Sequence, residues 1–155
     1  MPQGRTHLAF ELGTLPGWVA LGVVLHAGRT SLVFFTGAYV MASLFLSPDL
    51  DLAKSDASRR WRRARFLWRP YAAFFRHRGI SHSPLFGPLT RILYLAVLGA
   101  ALWAILHMVV DVPFPQVVPW ESALPVLAGL YLPHLLHVAL DRTVSLGKRF
   151  ILHRG

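Results

Sequence analysis

Four apolar stretches divide this chain, at about 12–28, 31–48, 90–110 and 122–140, and Arg91 at the start of the third is the single Lys, Arg, Asp or Glu within them. Each approaches the roughly 20 residues that a helix needs to cross a bilayer. The first two are separated by little more than Gly28-Arg29-Thr30, which suits a tight helical hairpin. The third is long and unbroken. The fourth carries Pro125, Pro133, His134 and His137 and reads as a kinked span, or a partly immersed helix, whose polar face turns towards its neighbours. The pattern predicts an all-α, polytopic membrane helical bundle of about four membrane helices. It forms a single domain over 1–155, with a basic loop at about 49–89.

Composition agrees with that reading. Hydrophobic residues make up 54% of the chain and charged ones 15%, with a mean hydropathy of +0.47; a soluble domain carries about 25% charged residues. Cysteine is absent, which excludes disulfides, thiolate metal ligands and thiolate nucleophiles. The N-terminal stretch Met1 to His7 has one basic residue, and no small-residue cleavage pattern follows the first apolar run, so that run is expected to be a retained helix.

Charge gives an orientation. Lys54, Arg59, Arg60, Arg62, Arg63, Arg65, Arg69, Arg76 and Arg78 lie between the second and third runs, whereas the connection from Asp111 to Glu121 has no Lys or Arg. Arg142, Lys148, Arg149 and Arg154 follow the fourth run. The positive-inside rule then puts both termini and the basic loop on the cytoplasmic side of a multi-pass inner-membrane protein. Within that loop Arg59, Arg60, Arg62, Arg63 and Arg65 are expected to bind membrane lipids, with Trp61, Phe66 and Trp68 entering the headgroup layer. A net charge of +9 also raises nucleic acid as a partner, but most of the excess sits in this one juxtamembrane loop, so no nucleic acid is expected. Gly13, Gly17 and Gly22 would let helices approach closely, within one chain or between copies in a homo-oligomer.

The topology has a chemical consequence. His7 precedes the first helix, Asp49 and Asp51 close the second, His77 and His82 precede the third, and Asp141 ends the fourth with His137 one turn inside it. All fall on one membrane face, which is what a metal centre needs. His26 and His107 fall near the other face and are left out. His137 and Asp141 stand at i, i+4 and share a helix face; His134, a turn earlier, could replace or support His137. Of Asp49 and Asp51, one could bind metal while the other orients a histidine. In Arg76-His77-Arg78-Gly79-Ile80-Ser81-His82-Ser83, Gly79 marks a turn between the two histidines.

These residues resemble the uncharacterised prokaryotic family of metal-binding membrane proteins. The resemblance rests on Met1 to His7, Ser47-Pro48-Asp49-Leu50-Asp51, Trp68-Arg69-Pro70-Tyr71, and His77-Arg78-Gly79-Ile80-Ser81-His82-Ser83 with Gly87 and Arg91-Ile92-Leu93-Tyr94, followed by the late His-x-x-x-Asp. A looser similarity, in the Pro-Asp-x-Asp and His-Arg-x-x-Ser/Thr-His steps, extends to inner-membrane-associated metal-dependent hydrolases. The resemblance covers most of the chain and implies membrane location and metal binding, without supplying a substrate.

The expected metal set is His7, Asp49, His77, His82, His137 and Asp141. Imidazole and carboxylate without thiolate suit a divalent ion, Zn foremost, with Mn or Fe as alternatives. Asp51 would act as general base and Arg78 would stabilise charge developing on a phosphate. The leading expectation is a metal-dependent hydrolase at the cytoplasmic membrane face, acting on a phosphoester or lipid-like substrate. The alternative is a non-enzymatic membrane scaffold with a structural metal and a lipid-binding basic loop. Metal transport fits less well, because its polar residues should line the bilayer midplane.

Overall fold

A computed structural model of the chain describes residues 4–51, 55–75, 83–113 and 120–152. Among these the chain forms six α-helices and no strand: α1 (Gly4–Val24), α2 (Arg29–Phe45), α3 (Asp56–Arg60), α4 (Trp68–Phe74), α5 (Phe86–Val110) and α6 (Trp120–Leu152). Short 3-10 turns at Pro48–Asp51 and Arg62–Leu67 connect the middle elements. α1, α5 and residues 122–147 of α6 are long and apolar enough to cross a membrane. α2 has 17 residues, roughly 25 Å at 1.5 Å per residue, which is short of a hydrocarbon core of about 30 Å.

The helices extend beyond the apolar runs. α1 starts at Gly4, well before the run at 12, and so carries His7 and Glu11 on the helix itself. α6 continues through Asp141 to Leu152 rather than stopping near 140. Hydropathy locates the apolar part of a helix, but backbone hydrogen bonding carries each helix on into polar sequence.

α2 lies along α6, with α1 against both. α6 comes close to α2 at Gly129, where an added Cβ would stand 2.5 Å from Phe35 O and 2.9 Å from Tyr39 N, so a side chain there would force the backbones apart. α5 leaves the rest of the bundle. Leu93, Val97, Leu102 and Ile105 are exposed along it, and it touches α6 only lightly.

The basic segment folds back beneath α2. Trp68 and Tyr71 are fully buried with Leu50 and Ala57, and Leu46, Trp61, Phe75 and Tyr94 pack around them. Trp61 and Trp68 meet edge-on at 5.2 Å, and Tyr94 donates its hydroxyl hydrogen to Leu67 O. This corrects the expectation that Trp61 and Trp68 enter a headgroup layer, because both rings point into the protein. Phe66 is exposed, as are Arg59, Arg62, Arg63 and Arg65.

The last carbonyls of a helix have no partner inside it. At the end of α2 three consecutive carbonyls take side-chain donors from elsewhere in the chain. Arg60 Nη1 donates to Leu44 O (3.1 Å), Trp61 Nε1 to Phe45 O (2.9 Å), and Arg91 Nη1 to Leu46 O (3.1 Å). Two of these donors are cations at the negative end of the helix dipole. Together they fix the direction in which the chain leaves α2, and the next turn carries Asp49.

Candidate metal centre

His7 and Glu11 are one turn apart on α1, and His137 and Asp141 are one turn apart on α6. The two pairs are crossed. His7 Nε2 lies 3.2 Å from Asp141 Oδ1, and His137 Nδ1 donates to Glu11 Oε1 at 3.0 Å. The two imidazoles stack with centroids 3.7 Å apart and planes 14° from parallel. His7, Glu11 and His137 each offer a ligand atom within 4.8 Å of the others'. All three are buried, at 3%, 2% and 1% exposure.

Glu11 is held from behind. Its carbonyl accepts hydrogen bonds from Tyr39 Oη and Thr14 Oγ1, both at 2.8 Å, which locks this turn of α1 to α2. Tyr39 is itself fully buried.

Asp49 arrives from the turn after α2. Its Oδ2 lies 3.9 Å from His137 Nε2, too far for a hydrogen bond. Two metal–ligand bonds of about 2.0–2.2 Å could span that gap. A polar cavity of about 10 Å³, the size of one water, adjoins His7, Glu11, Ser43, Asp49, Asp56 and Arg60. His7 Nδ1 is buried with no hydrogen-bond partner among the described residues. A buried nitrogen without a partner is costly unless something else takes its lone pair. These features suit a divalent ion. His7 Nδ1, His137 Nε2 and Asp49 would face it, while Glu11 and Asp141 orient the imidazoles from outside, as carboxylates do at many histidine metal sites.

The structure therefore brings together four of the expected site residues, His7, Asp49, His137 and Asp141. His77, His82 and Arg78 lie outside the described residues, as does the side chain of Asp51. His26 follows the end of α1, and His107 bonds Val112 O near the end of α5; neither joins the cluster. Glu11 was missed by sequence reasoning, although the available signal was its spacing: His7-x-x-x-Glu11 repeats the separation of His137-x-x-x-Asp141.

His134 and His137 differ in their partners. His134 Nδ1 lies 3.1 Å from Arg91 Nη1 and its Nε2 lies 3.0 Å from Ser83 O. Arginine only donates and a carbonyl only accepts, so Nδ1 accepts and Nε2 carries the proton. Both ring nitrogens of His134 are committed. His137 is the one that faces the cluster.

The family model described as "Uncharacterized metal-binding protein (DUF2227)" matches residues 2–151. An uncharacterized protein of Aquifex aeolicus (strain VF5) is 35% identical over 127 residues, covering 72% of this chain and 90% of that protein. No solved structure matches.

Proposed function

This chain belongs to the uncharacterized metal-binding protein family, and from that premise we propose that it is a membrane-embedded, metal-dependent hydrolase with its centre at the cytoplasmic face. The observation that carries the reading is the crossed pair of histidines and carboxylates buried where α1, α2 and α6 meet. Imidazole and carboxylate donors without thiolate favour Zn, with Mn or Fe as alternatives. An ion bound there supplies Lewis-acid polarisation and activation of water.

The protein's own groups divide the remaining work. His7 and His137 present nitrogens, and Glu11 and Asp141 hold the rings in place. Asp49, partly exposed at the edge of the cluster, would join the two histidines in holding the ion, and Asp51 would take a proton from the attacking water. Arg60 lines the same cavity and can meet negative charge on a phosphoester. His77, His82, Asp51 and Arg78 complete the proposed site from the sequence.

Sidedness rests on charge. Arg59, Arg62, Arg63 and Arg65 are exposed on the segment that caps the site end of α2, where they would meet anionic headgroups. That location is what supports a phosphoester or lipid-like substrate.

The small size of the cavity favours a second reading, a scaffold in which the ion is structural and the basic segment holds lipid. Turnover separates the two. Detergent-purified protein is assayed on phosphodiester, phosphomonoester and acyl-ester panels, then again after chelation and after restoring Zn²⁺ or Mn²⁺. Hydrolysis that disappears and returns with the ion is the expected result. A metal-replete protein that hydrolyses none of the three would leave the scaffold.

A further inference from the structure

Arg91 is 1% exposed on α5, close to the start of a long apolar helix. A buried guanidinium is costly unless its hydrogens are used, so its partners indicate its purpose. One hydrogen bond reaches Leu46 O, the last of the capped carbonyls of α2, three residues before Asp49. Another reaches His134 Nδ1, one turn before His137 on α6. His134 in turn donates from Nε2 to Ser83 O, at the entry to α5. One guanidinium and one imidazole thus join the end of α2, the start of α5 and the middle of α6. Two of those three attachment points lie within a turn of a residue facing the candidate ion.

We infer that Arg91 and His134 form a positioning strut that sets the separation of Asp49 and His137 and thereby the affinity of the centre for its metal, without either residue touching the ion. The inference rests on the metal-binding reading of the cluster and does not depend on hydrolysis. At one end both bonds leave Arg91 Nη1, whose two hydrogens lie in the guanidinium plane and so point in fixed directions. At the other end the strut needs a side chain that accepts on one side and donates on the opposite side. Glutamine meets that requirement and leucine does not; lysine carries the charge of arginine, but its rotating ammonium on a shorter stem does not fix the two donor directions.

The test is Zn²⁺ affinity by competition with a chromophoric chelator, read beside the thermal unfolding of metal-free protein. The variants are Arg91→Lys, His134→Leu and His134→Gln, with His137→Gln as the ligand control. Arg91→Lys and His134→Leu are expected to weaken Zn²⁺ binding by about 10–100-fold, the range typical of groups that orient metal ligands. His134→Gln should bind close to wild type, whereas His137→Gln should lose the ion. A His134→Gln protein that loses Zn²⁺ as fully as His137→Gln would make His134 a ligand and overturn the strut. Wild-type affinity in a folded Arg91→Lys protein would overturn it too, and this variant decides the matter if His134→Leu does not fold. A wild-type protein that binds no Zn²⁺, Mn²⁺ or Fe²⁺ would remove the metal-binding reading itself, an outcome distinct from failure of the strut alone.

Discussion

The two ends of the bundle formed by α1, α2 and α6 are built by different rules. At the site end, polar groups from all three helices meet at hydrogen-bonding distances, and the space left beside them is about 10 Å³. At the far end an opening of about 400 Å³ is lined by residues such as Trp18, Leu25, Phe35, Pro125 and Leu132, with no charged side chain. The Trp18 indole nitrogen there is buried without a hydrogen-bond partner among the described residues, as His7 Nδ1, Ser43 Oγ and Asp141 Oδ1 are at the site end. Apolar burial is non-directional, so it holds helices together without fixing their register. Directed bonds between polar groups that cannot be left unpaired do fix it. The site end is therefore specified, while the far end is only held together.

The strongest challenge to this contrast is Gly129→Val, since the new side chain would collide with the backbone at Phe35 and Tyr39 and pry α2 from α6 along both ends. A loss of about 3 kcal/mol or more is expected in denaturant titrations followed by helical circular dichroism; a near-neutral effect would mean the close approach does not hold the bundle. Next comes His137→Ala, which should take metal content measured by mass spectrometry from near-stoichiometric to background; unchanged content would remove His137 from the centre. Glu11→Gln keeps the shape of the side chain but loses the carboxylate that His137 Nδ1 meets, and a Zn²⁺ titration should show affinity reduced by about 10–100-fold. The smallest effect belongs to the far end. Trp18→Phe removes an unpaired buried N–H and should be neutral, or stabilising by at most about 1 kcal/mol, in thermal unfolding. A large loss there would show that the far end is as specified as the site.

Much of this contrast was legible in the sequence, and the rest was hidden for identifiable reasons. Helix ends read from hydropathy place His7, Asp49, His137 and Asp141 on one face, and the structure brings those four together. Glu11 escaped because apolar runs end where charge begins, whereas α1 is helical from Gly4 through its polar start. Trp61 and Trp68 point inwards because the end of α2 offers carbonyls to cap and apolar neighbours to cover, which local composition cannot reveal. His134 and His137 look alike in sequence. Their partners, all distant in the chain, distinguish them: Arg91 and Ser83 for His134, Glu11 for His137.

The crossed pairing of α1 with α6 has a consequence for how the protein is made. His7 and Glu11 emerge from the ribosome early, and their partners His137 and Asp141 come near the end of the chain. Until α6 arrives, the first helix carries an imidazole and a carboxyl group whose native partners have not been synthesised. A translation product cut short before α6 would leave that imidazole and carboxyl group without the partners that the complete fold supplies.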